Sequence, residues 1–126
     1  MQIIIDTNFL ISCVKQKIDF FSQISEIFPA SEFLIPSRVK EELEKLAEDR
    51  RLKVLDREAA NVALQIISKK RLRFIDLEGE ADDSIVSYAL NNKNVVVATL
   101  DREIKKQLEN KAGCLVIRSK KVVSLE

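Results

Sequence analysis

The chain contains no histidine, and this absence removes several classes of catalyst. Ser-His-Asp and Cys-His nucleophilic mechanisms and His-ligated metal sites all need an imidazole. The two cysteines, Cys13 and Cys114, form no C-x-x-C pair, which favours two reduced, partly buried thiols. The two glycines, Gly79 and Gly113, cannot build a phosphate-binding glycine loop of the Walker or dinucleotide type. Chemistry on this chain must therefore rest on carboxylates, hydroxyls, lysine and arginine.

The chain also has little net charge and lacks long apolar runs. The net charge is +1, from 21 basic and 20 acidic residues, whereas a protein that binds nucleic acid through bulk charge is usually more basic. Nucleic-acid binding would therefore need a local basic patch or a metal ion. The uncharged stretches are too short to span a bilayer and the first residues carry no basic segment, so we expect no membrane association, no signal peptide and a cytoplasmic location. Length and a 46% apolar composition indicate one globular domain over residues 1–126.

Short apolar runs alternate with segments of helical periodicity along the whole chain. The runs at 3–5, 33–35, 72–75, 95–98 and 114–117 are typical of buried strands, and 122–123 is a candidate sixth. Helical spacing extends over 9–28, follows Pro36, and recurs over 52–67, 81–90 and 101–108. This alternation predicts an α/β fold, a three-layer α/β/α sandwich around a central parallel sheet of about five strands. In the helix over 52–67 the spacing predicts a buried face of Leu55, Ala59, Val62, Ala63 and Ile66.

Two aspartates follow predicted strands directly. Asp6 comes after the first strand, and Asp101 comes shortly after the strand at 95–98. Sites in parallel sheets lie beyond the carboxyl ends of the strands, so both positions suit a functional carboxylate. Each aspartate also precedes a predicted helix, where Asp is a good N-cap, so a purely capping role stays open for both.

A third aspartate lies at the start of the helix over 81–90. Successive helical residues turn by about 100°, so Asp82 shares a face with the apolar Ile85, Val86 and Ala89. A carboxylate on a core-facing side is costly unless a cation or several donors meet it. Asp82 is therefore a candidate ligand, although a first-turn acid favoured by the helix dipole is the alternative. The same spacing turns Asp83 towards solvent.

One glutamate follows a similar pattern in the helix after Pro36. Glu42 flanks the apolar stripe of Val39, Leu43 and Leu46, so it can lean towards the sheet. The neighbouring Glu41 is predicted to point away. An ordinary glutamate at the boundary of the core is the alternative for Glu42.

Taken together, the four acids suggest a metal site. Two unit charges about 4 Å apart repel by about 4 kcal/mol at an effective dielectric constant of about 20, so a cluster of carboxylates persists where it binds divalent cations. Oxygen ligands without histidine or cysteine favour Mg²⁺ or Mn²⁺, whose chemistry is to activate water and stabilise charge on a phosphoryl group. Asn8 and Thr99, close in sequence to Asp6 and Asp101, could orient that water or a phosphate oxygen; structural turn roles are equally open.

Four motifs occur in a characteristic order: Ile4-Ile5-Asp6-Thr7-Asn8; Ile35-Pro36-Ser37 followed by Val39-x-x-Glu42-Leu43-x-x-Leu46; Glu80-Ala81-Asp82-Asp83-Ser84-Ile85-Val86; and Val97-Ala98-Thr99-x-Asp101-Arg102. In these motifs the chain resembles the PIN domain, the nuclease family of VapC-type toxins and ribosomal-RNA processing factors. The resemblance extends over nearly the whole chain. The Asp82-Asp83 pair and the helix that starts at Asp101-Arg102 are more similar to the archaeal and rRNA-processing branch than to typical bacterial toxins.

The resemblance implies a fold, an activity and a set of site residues. It implies the strand order 3-2-1-4-5, Mg²⁺- or Mn²⁺-dependent cleavage of RNA, a homodimer, and an antitoxin partner if the chain is a toxin. Arg102 or Lys105 would position the RNA backbone. The implied catalytic residues are Asp6, Glu42, Asp82 and Asp101 with Asn8 and Thr99 as polar helpers, and the implied metal ligands are Asp6, Asp82 and Asp101.

Three other functions compete with this interpretation. A phosphatase of the haloacid-dehalogenase type needs a second aspartate where this chain has Asn8. A receiver domain needs an acid pair after the first strand, which is missing. A catalytically silent PIN fold that serves as a binding or scaffolding module in an RNA-protein complex is the main alternative, and the presence of all four acids argues against it.

Overall fold

The computed structural model describes residues 1–70, 72–77, 81–119 and 122–126, with the backbone alone for residues 81 and 82. Within these ranges no helix is long and apolar enough to cross a membrane. The elements in chain order are β1 (Gln2–Ile5), α1 (Thr7–Gln16), α2 (Phe20–Ile27), β2 (Glu32–Pro36), α3 (Ser37–Glu48), α4 (Val54–Lys69), β3 (Arg73–Ile75), α5 (Ala81–Asn91), β4 (Val95–Ala98), α6 (Arg102–Leu108), β5 (Gly113–Arg118) and β6 (Val122–Leu125).

The strands form one sheet in the order β3-β2-β1-β4-β5-β6. All neighbouring pairs are parallel except β5 and β6, which run antiparallel. In the centre of the sheet, Ile4 of β1 lies opposite Leu34 on one side and Val97 on the other. The predicted three-layer fold and its 3-2-1-4-5 order are confirmed. The count of about five strands is one too low, because residues 122–125 return antiparallel along β5.

Helices cover both faces of the sheet. Side chains alternate between the faces along a strand, so Ile3 and Ile5 of β1 point one way and Ile4 the other. Ile3 and Ile5 pack in the core with residues of α1 to α4, whereas Ile4 packs with Ile85 of α5 and Ile104 of α6. Burial on both faces explains why β1 is an uninterrupted apolar run of three isoleucines, none of which has exposed surface. β1 is thus the centre of the fold, and its carboxyl end is fixed in position.

The continuous helical pattern over 9–28 is divided into two helices in the structure. Lys17 adopts a left-handed conformation with φ of 58°, and its backbone N–H caps the last turn of α1. Asp19 then caps α2, because its carboxylate accepts hydrogen bonds from the Ser22 backbone N–H and the Ser22 hydroxyl. Asp19 and Ser22 provide a capping signal that apolar periodicity does not register.

The buried face of α4 also differs from the prediction. Leu55 and Val62 are 73% and 41% exposed. Ala59 and Ala63 are buried as predicted, and Ile66 is partly buried. Ala60 and Ile67 complete the buried face, because α4 packs against both α1 and α3. Alanines allow close approach of two helices, so small side chains rather than the large apolar ones mark the contact face.

Candidate active site

Asp6 is a buried carboxylate at the carboxyl end of the central strand. It is 7% exposed and directly precedes α1 in an extended conformation. Its Oδ1 accepts a hydrogen bond of 2.8 Å from the Thr7 backbone N–H, and its Oδ2 accepts one of 2.8 Å from the Thr99 hydroxyl. A typical N-cap accepts from the second or third helical N–H, whereas these bonds come from the first helical residue and from a neighbouring strand end. The hydrogen bonds of Asp6 therefore do more than cap a helix.

Thr99 connects the two strand ends that carry the acids. It has no exposed surface, and its hydroxyl donates to Asp6 Oδ2 while accepting a hydrogen bond of 3.1 Å from the Asp101 backbone N–H. An ionised carboxylate only accepts and an amide N–H only donates, so this chain of bonds fixes the direction of the Thr99 proton. A single buried hydroxyl thus ties Asp6 to the segment that presents Asp101.

Asp101 caps α6 in the usual manner. Its Oδ1 accepts hydrogen bonds from the backbone N–H groups of Glu103 at 2.8 Å and Ile104 at 3.3 Å. No residue within the described ranges donates a hydrogen bond to Oδ2 of Asp101. The capping interpretation is correct for one oxygen of this carboxylate, and the second remains available as a ligand.

Asn8 fixes the loop between β4 and α6. Its side-chain Oδ1 accepts a hydrogen bond of 3.1 Å from the Leu100 backbone N–H. This contact supports the structural role that the sequence left open for Asn8, and it uses the carboxamide oxygen alone. The amide nitrogen of the same side chain can still donate to a ligand.

Glu42 lies between two buried residues of α3, Val39 and Leu43, and its own side chain is exposed. The acid that lies beside Ser84 and Asp76 is instead Glu41, in a groove of about 310 Å³ at the carboxyl ends of β2 and β3. The Glu41 side chain is exposed, in keeping with the prediction that it points away from the buried stripe of α3. The role of Glu42 itself stays a prediction.

Asp82 belongs to the first turn of α5, but its side chain lies outside the described part of the structure. The apolar face on which its prediction depended is confirmed, since Ile85, Val86 and Ala89 are all buried. Asp83 is exposed, as expected. The proposed position of the Asp82 carboxylate near Asp6 remains a prediction.

The donor chemistry of this region suits a hard divalent cation. Among the described side chains, no group of three or more acids or thiols is close enough to hold a metal ion. Mg²⁺ commonly keeps several waters and binds one or two carboxylates, so Asp6 and the available oxygen of Asp101 match its requirements.

Thr7 is a residue that sequence reasoning missed: its hydroxyl is buried next to Asp6 with no hydrogen-bond partner within the described ranges.

Comparisons with known proteins identify the family of the chain. The family model described as "PIN like domain" matches residues 3–121. Ribonuclease VapC4 of Methanocaldococcus jannaschii is 42% identical over 123 residues, which cover 95% of this chain and 92% of the relative. Ribonuclease VapC9 of Archaeoglobus fulgidus is 32% identical over 86% of this chain and 76% of its own length. The rRNA-processing protein fcf1 of Schizosaccharomyces pombe is 31% identical over 91% of this chain, which spans 57% of that longer protein.

Solved structures lead to the same family. The PIN domain endonuclease Utp24 superimposes with a TM-score of 0.80 at 28% identity, over 99% of this chain and 90% of that one. VapBC2 from Rickettsia felis, bound to a DNA fragment from its promoter, matches at a TM-score of 0.63 and 18% identity over 94% of this chain and 100% of the matched chain, which shows a shared fold. With a family match over almost its full length and near-complete alignment to a 42% identical relative, the chain belongs to the PIN-like domain family.

Proposed function

We propose that the chain is an endoribonuclease that hydrolyses RNA phosphodiester bonds with Mg²⁺ or Mn²⁺. The observation that carries the proposal is the buried Asp6 carboxylate, held by Thr99 beside the segment that presents Asp101. The relatives that are named ribonucleases and the endonuclease Utp24 support the reaction class. The metal dependence rests on the oxygen donors of the site.

Each residue of the proposed site has a distinct task. Asp6, Asp82 and Asp101 would hold the cation, which when bound activates a water and stabilises negative charge on the phosphoryl group. Thr99 keeps Asp6 Oδ2 in one orientation by donating its proton. Glu42 would orient the attacking water as a general base. Asn8 holds the Asp101 loop through Leu100, so the two strand ends keep their spacing while RNA binds.

We further propose that the nuclease acts as the toxin of a toxin-antitoxin pair. VapC4 supports this role, because it aligns over nearly its whole length, whereas the rRNA-processing protein fcf1 is aligned over only part of its own. An antitoxin protein would then be a partner, and the fold that the chain shares with VapBC2 of Rickettsia felis is compatible with such a pair. We propose in addition that two copies of the chain form a homodimer.

The decisive experiment replaces Asp6 with asparagine. This change keeps the shape and one of the two hydrogen-bond-accepting oxygens of Asp6, and it removes the charge that binds a cation. We expect Mn²⁺ to raise the melting temperature of the unmodified chain, with a gain of about 2.7 kcal/mol when free Mn²⁺ is 100-fold above its Kd. Asp6→Asn should lose this gain and all RNA cleavage while its circular dichroism spectrum is retained. Glu58→Gln, an exposed acid of α4, is the control that should behave like the unmodified chain.

Two results would contradict the proposal. Cleavage by Asp6→Asn at the unmodified rate would exclude Asp6 from the reaction. An unmodified chain that neither cleaves RNA nor gains stability from Mn²⁺ or Mg²⁺ would instead support the silent scaffold.

A further inference from the structure

A basic groove runs along the solvent side of α6. It has a volume of about 850 Å³ and lies between α6, the start of β5 and the end of β6. Its lining includes the small residues Ala112 and Gly113. Four cations and two acids line its walls: Arg102, Lys105, Lys106 and Lys111 against Glu109 and Glu126.

Three of the four cations of the groove share one face of α6. Residues three and four apart are neighbours on a helix surface, so Arg102, Lys105 and Lys106 form a single stripe. The opposite face of α6 is buried through Ile104 and Leu108. The stripe therefore faces solvent because the core holds the other side of the helix, and its direction does not depend on flexible loops.

Most of this positive charge has no ion-pair partner among the described residues. Lys105 Nζ lies 4.0 Å from a Glu126 carboxylate oxygen, which a guanidinium nitrogen of Arg118 also approaches to 3.7 Å. Arg102, Lys106 and Lys111 take part in none of the ion pairs found within the described ranges. In a chain whose net charge is only +1, a groove with four cations and two acids, in which three of the cations have no ion pair among the described residues, favours an anionic ligand.

One lining residue of the groove, Arg102, adjoins the candidate active site, although Asp6, Thr99 and Asp101 do not themselves line the groove. Arg102 is the first residue of α6 and directly follows Asp101. With a rise of about 1.5 Å per residue, Lys106 lies roughly 6 Å further along the helix axis, and Lys111 follows beyond the end of α6. A strand bound along the basic stripe would therefore run between Asp101, which precedes α6, and the start of β5.

We propose that this groove binds the phosphate backbone of the RNA strand outside the cleavage site. The proposal rests on the ribonuclease function proposed above and adds the path of the substrate. Lysine and arginine contacts to phosphates fix the register of a strand without reading its bases. The groove would thus supply affinity for longer RNA, while the acidic site performs the cleavage.

The test compares the binding of RNA strands of two lengths to variants in which Asp6→Asn prevents cleavage. Asp6→Asn and the triple variant Asp6→Asn/Lys106→Ala/Lys111→Ala are titrated with fluorescent RNA of about four and about twelve nucleotides, within the range of single-strand site sizes. We expect the two lysine changes to weaken binding of the longer strand about 10-fold at 0.1 M salt. The slope of log affinity against log salt concentration should become less steep by about 0.7 for each lost phosphate contact. Binding of the shorter strand should change less than 2-fold. Lys69→Ala in the same background, an exposed lysine at the end of α4, controls for loss of charge.

The outcomes separate this inference from the function on which it rests. Unchanged affinity for the longer strand, an equal loss for both strands, or an equal loss in the Lys69→Ala control would each overturn the groove assignment. An acidic peptide serves as a second probe of the same variants. If the two lysine changes abolish binding of this peptide and leave RNA binding intact, the groove assignment is overturned and the groove belongs to a protein partner. If Lys106→Ala/Lys111→Ala with Asp6 intact cleaves and binds RNA like the unmodified chain, the groove assignment fails and the nuclease stands. If the unmodified chain does not cleave RNA at all, the nuclease itself fails.

Discussion

The Thr99 hydroxyl donates a hydrogen bond of 2.8 Å to Asp6 Oδ2 across 93 positions of the chain. The oxygen of that hydroxyl also accepts the Asp101 backbone N–H, so three groups at the carboxyl ends of β1 and β4 meet at one buried side chain. The position of both carboxylates relative to each other therefore depends on a residue that would bind no metal itself. We therefore propose Thr99 as a positioning residue of the candidate site.

Replacing Thr99 with valine tests that role, because valine keeps the shape and removes the hydroxyl. The change leaves Asp6 Oδ2 and the Asp101 N–H without this partner, so we expect a loss of about 2–3 kcal/mol in the free energy of unfolding. Urea unfolding measures the loss. In the folded variant the Kd for Mn²⁺ should rise, because the Asp6 oxygen is no longer oriented.

Thr7→Val is the matched control for this change. Thr7 is also buried and also next to Asp6, but its hydroxyl has no partner among the described residues. Its removal should alter the free energy of unfolding by less than about 0.5 kcal/mol or stabilise the chain. Equal losses in the two variants would show that burial of a threonine, rather than the bond to Asp6, sets the cost.

Two substitutions of Asn8 separate the two roles of its side chain, which are to accept a hydrogen bond from the Leu100 N–H and to donate one to a ligand. Asn8→Asp keeps an oxygen that accepts from the Leu100 N–H but cannot donate, whereas Asn8→Ala removes both functions. We expect Asn8→Ala to lose about 1 kcal/mol of stability and Asn8→Asp to lose little. Lower RNA cleavage in Asn8→Asp at full stability would assign the amide nitrogen to substrate. Full cleavage would confine Asn8 to holding the loop.

The cap of α2 makes part of the stability depend on pH. The hydrogen bond from the Ser22 side chain, and then that from its backbone, lowers the pKa of Asp19 below the ordinary value. The stabilisation is present above the unfolded pKa of about 3.9 and is lost as the pH falls through the lower folded pKa. Asp19→Ala should cost about 1 kcal/mol at pH 7.

Urea unfolding at several pH values checks this prediction. The difference between Asp19→Ala and the unmodified chain should shrink as the pH falls below about 4. Ser22→Ala should show a smaller effect of the same sign, because the backbone bond to Asp19 remains. A difference that stays constant down to the acid transition would contradict the assigned cap.

The two thiols should be inert in the folded chain. Cys13 and Cys114 are free and buried, which confirms the prediction of two reduced thiols. Burial raises the pKa of Cys13 to about 12, and burial followed by the charge of Glu126 raises the pKa of Cys114. At pH 8 roughly one Cys13 in ten thousand is a thiolate, so disulfide reagents should react only after unfolding. Rapid labelling of native Cys114→Ala would contradict the buried position of Cys13.

Much of the candidate site follows from simple sequence rules. An apolar strand that ends in an acid predicts a carboxylate at the edge of the sheet, and the structure places Asp6 and Asp101 there. The buried face of α5 was also predicted, because the apolar Ile85, Val86 and Ala89 recur at helical spacing and are all buried. These features depend on local pattern and on one topological rule.

Other features depend on contacts between distant segments, which local patterns do not contain. The bond from Thr99 to Asp6 requires the parallel register of β1 with β4, which no short motif specifies. The contact face of α4 is set by how closely α1 and α3 approach Ala60, so the larger Leu55 is left in solvent. The break between α1 and α2 depends on the left-handed Lys17, a conformation that lysine rarely adopts.

The antiparallel return of β6 has a consequence for association between molecules. Without it, β5 would present six residues of unpaired backbone at the rim of the sheet. With it, the outermost strands are β3 and β6, of only three and four residues, and Arg73 of β3 is held by an ion pair with Glu32. Short outer strands are poor templates for recruiting a strand from another molecule. Self-association of this protein should therefore use its helices, and fibril-like growth through the sheet is disfavoured.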